Sequence, residues 1–285
     1  NPKEAYSEVW NGFRSGIEGA ETVFMADKAH EVNQFKELLP NYLHGAEEIV
    51  FAVGRNPKIE AIILDTWSNQ LQRYPSVGSA PNSIKSPSLY LNEMRLLKSD
   101  YEIERMREAV QISAEAHELV RNNISLKNNE RQVQGLIEGY FLEKGARGPA
   151  YNSIVASGDN ACVLHYTTNN SDFKKDDLLL VDAGCSLFDY YNGDITRTFP
   201  IGGKFTAEQK EIYEIVLEAQ KCAIENVIPG VSTNYIHMKA VRIIVNGLKE
   251  IKLLKGDTVE IIEKESYKHL YMHKTGHWLG LDVHD

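Results

Sequence analysis

Val181-Asp182-Ala183-Gly184 and, after a short turn, Asn192-Gly193-Asp194-Ile195-Thr196-Arg197-Thr198 set two carboxylates twelve residues apart in a chain of 285. Leu178 to Val181 is apolar throughout, which predicts a strand covered on both faces, and Asp182 closes it. A strand, a turn of Tyr, Asn and Gly, and a second strand would bring both side chains to one face of an antiparallel pair. Two ionised carboxylates held that close repel each other unless a cation lies between them. Taken singly, Asp182 reads rather as an N-cap, with Asp194 a solvated loop residue. Taken together, with Gly184 and Thr196-Arg197-Thr198 attached, they read as metal ligands.

The second informative stretch is His273-Lys274-Thr275-Gly276-His277-Trp278-Leu279-Gly280-Leu281-Asp282-Val283-His284-Asp285. Four of the nine histidines (His269, His273, His277, His284) fall in the last seventeen residues. No Glu follows His273, so this is not the HExxH zinc signature, and Gly276 and Gly280 disfavour a helix. On an extended strand His273 and His277 share a face, whereas His277 and His284 do not. A bulge or bend near Gly280 is required if both line one site. His269 is expected to be structural. His165, at the end of a predicted strand Cys162–Tyr166, is by itself a weak signal. Carboxylate and imidazole together suit Mn, Co or Zn.

Working outward, Thr206-Ala207-Glu208-Gln209 and Ser99-Asp100-Tyr101-Glu102 are capping boxes that open helices. The first leads a helix with Ile212, Ile215, Val216, Ala219, Ala223 and Val227 inward, broken by Pro229-Gly230 and followed by another from about Thr233 to Lys249. The second leads a helix with Ile103, Met106, Val110, Ala114 and His117 inward. A further helix is predicted from Glu130 to Lys144, stopped by Gly145. Tyr151–Ser157 and Cys162–Tyr166 are predicted strands around a Gly158-Asp159-Asn160 turn. Nearer the start, Glu48–Val53 predicts a strand, and Asn56-Pro57 opens a helix with Ile59, Ile62, Ile63, Trp67 and Leu71 on its apolar face. Residues 75–88, dense in Pro, Ser and Gly, read as a loop or linker. The expected division is an α/β domain over 1–98 and a second domain over 99–285. No internal repeat or low-complexity tract is seen.

Composition bounds the partners. The chain is 42% hydrophobic and 25% charged, with net charge −9 and no basic stripe, which argues against nucleic acid. No apolar run is long enough to span a bilayer. Three cysteines (Cys162, Cys185, Cys222) form no CxxC pair and read as reduced thiols, hence a cytoplasmic protein. The first residue is Asn1 rather than Met, so an internal fragment or processed product is expected, with room for an upstream targeting signal.

Five stretches carry a family resemblance: Tyr151-Asn152-Ser153-Ile154-Val155, Leu164-His165-Tyr166-Thr167, Asp182-Ala183-Gly184, Gly193 to Phe199, and His277 to Asp285. In these the chain resembles the aminopeptidase P group of the pita-bread metallopeptidases, relatives of methionine aminopeptidase, prolidase and creatinase. The resemblance implies a mixed α/β (α+β) architecture: a partial creatinase-like N-terminal α/β domain and an incomplete, C-terminally truncated pita-bread domain. It implies two divalent ions, manganese for preference and cobalt or zinc as alternatives, ligated by Asp182, by a bridging Asp194 and by His277. His165, His273 and His284 would surround the substrate as catalytic groups that hydrogen-bond the oxyanion and relay protons. The implied reaction is release of the first residue from peptides with proline second. The alternatives are a prolidase acting on dipeptides, or a non-catalytic pita-bread module that binds peptides or proteins; nothing favours creatinase. A homo-dimer or tetramer, with no nucleic acid or membrane partner, is expected.

Two departures accompany the resemblance. The family spaces its aspartates one residue closer, which is harmless if the extra residue lies in the Phe188–Asn192 turn and disruptive if it lies in a strand. The family also completes its site with two glutamates after the histidine motif, and these would lie beyond Asp285. Glu260, Glu263 and Glu265 precede the histidines and match no family position. The 285 residues alone are therefore expected to hold at most one ion weakly, and to be inactive.

Overall fold

The structure, a computed structural model, describes residues 3–77 and 80–285. The chain divides into two units, Asn1–Met94 and Arg95–Asp285. The first runs α1 (Ala5–Asn11), α2 (Gly16–Thr22), α3 (Phe35–Leu43), β1 (Glu48–Val50), α4 (Pro57–Val77) and β2 (Ser83–Lys85), and ends within α5 (Ser88–Leu96). β1 and β2 pair in parallel, Ile49 opposite Ile84. Its core is Leu43, Ile49 and Ile63, against which Phe35, Leu39, Ile59 and Trp67 pack. The Asn56 side chain accepts from the Ile59 amide at 3.3 Å, the expected cap of α4.

The expected loop over 75–88 is corrected for its described residues. Residues 75–77 finish α4, Ser83–Lys85 is a strand and Ser88 opens a helix; Gly78 and Ser79 lie outside the described residues. The local reading fails because β2 exists only through its pairing with β1, far away in sequence. Leu71, placed on the inner face of α4, is exposed.

The second unit runs α6 (Asp100–Asn123), α7 (Glu130–Glu143), β3 (Gly148–Pro149), β4 (Ile154–Ser157), β5 (Leu178–Asp182), β6 (Cys185–Ser186), β7 (Thr196–Pro200), α8 (Ala207–Glu225), α9 (Thr233–Glu250) and α10 (Thr258–Glu263). β5 is the centre of an antiparallel sheet, flanked by β4 and β7. β3 and β6 form a small antiparallel pair beside it. The α6 and α7 residues Ala109, Ile112, Ala116, Val120, Val133, Ile137 and Phe141 pack on Val155, Leu179, Val181 and Phe199 of the sheet. Each large side chain fully buried in this way contributes about 1.5–3 kcal/mol. α8 and α9 pack together through Ala219, Ala240, Ile244 and Leu248.

Both capping boxes form: Ser99 accepts from the Glu102 amide and Glu102 from Ser99, and Thr206 and Gln209 exchange the same pair of bonds. Gly145 takes φ +82° just after α7, and the Ala146 amide closes on the Phe141 carbonyl at 3.0 Å. Four expectations are corrected. β5 alternates buried Leu179 and Val181 with half-buried Leu178 and Leu180, so only one of its faces is fully covered. No strand forms over 162–166, where Gly158–Cys162 is a 3-10 turn and Val163 and Leu164 are exposed. α6 buries the Ala109, Ile112, Ser113, Ala116, His117, Val120 stripe rather than Ile103 and Val110. In α8 only Ala219 and Ala223 are fully buried, and Ile212, Val216 and Val227 are exposed. Among the described residues no helix is long and apolar enough to cross a membrane.

Candidate metal centre

Strand register decides which side chains meet. Asp182, the last residue of β5, lies opposite Ile154 on one side and Thr196 on the other. Residues just before β4 and just before β7 therefore project past the same end of the sheet as Asp182. Tyr151 stands three positions before Ile154, and Asp194 two before Thr196. The Tyr151 hydroxyl lies 2.5 Å from Asp182 Oδ1 and 2.7 Å from Asp194 Oδ1. The longer spacing between the aspartates does not part them. The Leu187–Tyr191 turn, closed by Leu187 N–H to Tyr191 O at 2.9 Å and carrying Tyr190 at φ +71°, lies between strand ends that still meet.

A phenol has one hydrogen and here meets two carboxylates. Burial raises the Asp182 carboxyl above its usual range, and the Asp194 charge raises it further against the pull of the Tyr151 hydrogen bond. Burial, then the Asp182 charge, pushes the Tyr151 phenol far up, so it remains a donor.

His277 approaches from the C-terminal segment, its Nε2 3.1 Å from Asp194 Oδ2. Its Nδ1 lies 2.9 Å from the Trp278 carbonyl. A carbonyl only accepts, so Nδ1 carries the hydrogen and the lone pair of a neutral ring sits on Nε2, aimed at a carboxylate oxygen. A lone pair and a carboxylate oxygen facing at that distance need a proton or a cation between them. This carbonyl-oriented tautomer is also the one in which histidine ligates metals. His284 packs edge-on against His277, ring centres 4.3 Å apart.

Two supports hold this end of the sheet. The Asn192 side-chain amide donates to the Gly280 and Leu281 carbonyls at 3.1 and 3.0 Å, and the Asn192 N–H donates to Gly280 O at 3.1 Å. That fixes the bend expected near Gly280. Asp285 binds Arg95 Nε at 2.6 Å and Lys98 Nζ at 2.8 Å. Burial pushes this carboxyl up, but Lys98 and Arg95 hold it below the usual range. From beneath, His117 of α6 donates from Nε2 to the Ala183 carbonyl at 2.9 Å, and its buried Nδ1 has no partner. Burial lowers the His117 pKa and keeps the ring neutral.

The structure thus brings together Asp182, Asp194, His277 and His284. It does not bring His165 or His273 into contact with them. His165 lies on the exposed turn after the 3-10 segment, and His273 faces Tyr271, with ring centres 4.9 Å apart. His269 bonds the Ser266 carbonyl at 2.6 Å. Among the described residues no three His, Cys, Asp or Glu side chains already converge at ligand spacing. The donor types, two carboxylates and an oriented imidazole, nonetheless fit a divalent ion. Sequence reasoning assigned no role to Tyr151, Asn192 or His117. A usable signal for Tyr151 was its place just before the strand that pairs with β5.

Residues 104–285 match metallopeptidase family M24, and residues 1–51 match the N-terminal domain of aminopeptidase P. The chain is 42% identical over 284 residues to the Xaa-Pro aminopeptidase of Haemophilus influenzae and 37% identical over 283 to that of Escherichia coli. All of the chain aligns with the first and 99% with the second, and it spans 63% and 64% of their lengths. Among solved structures it superposes on aminopeptidase PepP of Pseudomonas aeruginosa with TM-score 0.92 at 39% identity. It superposes on zinc-substituted E. coli aminopeptidase P in complex with product with TM-score 0.92 at 37% identity. In both cases all of this chain and 64% of the other are covered. The fold is that of the aminopeptidase P structures.

Proposed function

The chain belongs to metallopeptidase family M24, and from that premise we propose that the whole protein is a metal-dependent aminopeptidase releasing the N-terminal residue from peptides with proline in second position. The observation that carries this reading is the meeting of Asp182, Asp194 and the oriented His277 at one end of the sheet. The similarity to Xaa-Pro aminopeptidases over essentially the whole chain supports the substrate class.

Asp182, Asp194 and His277 would hold the metal, proposed as two divalent ions with manganese preferred over cobalt or zinc. Such ions act as Lewis acids and lower the pKa of water. The chain's own residues do the rest. The Trp278 carbonyl orients His277, and Tyr151 keeps the two carboxylates on one donor. His284, against His277, can donate a hydrogen bond to negative charge developing on the scissile carbonyl. His165 and His273 are proposed to flank the substrate and pass a proton to the leaving proline nitrogen. The three free thiols support a cytoplasmic location, and the net charge of −9 supports peptides rather than nucleic acid as partners. A homo-dimer or tetramer is proposed, to be tested by light scattering.

The test is hydrolysis by the whole natural protein, with manganese added, of a tripeptide with proline second, its alanine counterpart and an Xaa-Pro dipeptide. Cleavage of the proline tripeptide, lost in Asp194→Asn, is expected. Cleavage of the dipeptide alone would mark a prolidase, and binding without cleavage a peptide-binding module.

A further inference from the structure

Glu130, the first residue of α7, is fully buried. A buried carboxylate is tolerated only when its oxygens are fully hydrogen-bonded, and here five donors converge. Oε1 accepts from the Ser157 amide at 2.7 Å, the Ser157 hydroxyl at 2.8 Å and Asn160 Nδ2 at 3.0 Å. Oε2 accepts from the Tyr166 hydroxyl at 2.8 Å and the Ser171 amide at 2.9 Å. Burial pushes this carboxyl up, but the Asn160, Ser171 and Ser157 donors outweigh it and hold it below the usual range. Two of these donors, Ser157 and Ser171, bracket the excursion that leaves β4, and the other two residues lie inside it.

The returning limb runs beside β4. Asn169, fully buried at φ +48°, accepts from the Val155 amide at 3.0 Å and donates to the Ser153 carbonyl at 2.7 Å. Ser171 thus stands level with Ser157 and Asn169 level with residues 153–155, so the returning limb runs alongside β4. His165 itself is exposed, and among the described residues no hydrogen bond holds its ring. The next residue, Tyr166, ties this turn to Glu130 through its hydroxyl.

We propose that Glu130 is a positioning residue: its carboxylate clamps the 158–171 excursion and thereby holds the segment carrying His165, the residue proposed above to flank the substrate. The proposal rests on that functional reading for its consequence but not for its geometry. All five partners can donate, so an acceptor-only group is matched there and an amide is not. Glu130→Gln keeps the shape and puts an NH2 among donors.

The experiment uses the whole protein, with Glu130→Gln, His165→Ala and the double variant. Hydrogen exchange of peptides spanning 158–171 is expected to quicken about tenfold in Glu130→Gln, with β5 unchanged. Manganese affinity, by calorimetry, stays within about twofold, while kcat/KM on a proline tripeptide falls roughly 10- to 100-fold. In the His165→Ala background the same substitution costs less than about threefold, because the two act through one group. Unchanged exchange in 158–171 overturns the clamp. An equal loss of kcat/KM with and without His165, or an equal loss of manganese affinity, overturns the positioning role. Should Glu130→Gln fail to fold, Tyr166→Phe removes one of the five bonds and is read by the same measurements, with smaller changes in the same pattern. A wild type that cleaves no proline peptide refutes the functional reading, and the exchange pattern then decides the clamp without it.

Discussion

Gly184 offers the sharpest test of how the two aspartates are brought together. A Cβ at 184 would lie well inside van der Waals contact of the Gly193 carbonyl oxygen and 2.9 Å from the Asp194 nitrogen. The carbonyl would have to retreat by more than roughly 1 Å to restore even a close carbon–oxygen approach of ~3.3 Å. Gly193 is itself closely packed: the space a Cβ there would take is already met by the Ala109 carbonyl at 2.8 Å and by Ser113 Oγ at 2.5 Å. Gly184→Ala therefore overpacks a rigid crossing, at about 1–3 kcal/mol. It also strains the Gly193 N–H bond to Cys185 O, now 2.9 Å, for about 1 kcal/mol more. A loss of roughly 2–4 kcal/mol is expected in denaturant unfolding followed by circular dichroism. Displacing Asp194 by about 1 Å should also weaken manganese binding at least tenfold by calorimetry. A Gly184→Ala protein with the wild-type midpoint and wild-type affinity would refute the reasoning outright.

Three further outcomes follow from the same site. Tyr151→Phe removes the hydrogen shared by Asp182 and Asp194, and should cost the metal-free protein about 1–3 kcal/mol. The cost should be smaller with manganese bound, and thermal unfolding with chelator and with metal would show an equal loss if the idea is wrong. His117 is held neutral by burial, its folded pKa below the ordinary 6.5; between those two values the unfolded chain binds the extra proton, so stability rises with pH up to about 6.5 and is lost below it. His117→Gln should flatten that part of the profile, and unfolding midpoints at pH 5 and 7.5 that change as in wild type would count against it. Metal binding should release protons, because a metal takes carboxylates and neutral imidazoles as its ligands; calorimetry in buffers of differing ionisation enthalpy would reveal a buffer-independent heat if none leaves.

Much of this was legible in the sequence where the signal is local. Ser99 with Glu102, Thr206 with Gln209, Asn56 before Pro57 and Gly145 after α7 each act within one helical turn, and each forms as read. The need for a bend near Gly280 came from strand alternation alone, and Asn192 supplies its anchor. What failed depended on distant partners. The α6 stripe was misread because the helix carries apolar residues on more than one side. The face it buries is the one with small Ala109, Ser113 and Ala116, since the Gly193 backbone comes down onto it. Cys162-Val163-Leu164 has the composition of a strand, yet its segment is tied by side chains to Glu130 rather than by a ladder.

The electrostatics of the centre point one way. Tyr151 gives its single hydrogen to two carboxylates, burial and the neighbouring charge disfavour ionisation of Asp182, and His277 turns a lone pair toward Asp194. Each would be eased by added positive charge, and all three share Asp182 or Asp194. A fold that needed these residues only for stability would gain by replacing one aspartate with asparagine, whose amide donates hydrogen bonds without charge and removes the repulsion. The surroundings instead keep both carboxylates close. Gly184 and Gly193 permit the backbones to cross at the distance required, His117 braces the carbonyl after Asp182, and Asn192 holds the histidine segment against them. The residues around the pair thus fix a negative, partly desolvated cluster that a divalent cation would satisfy.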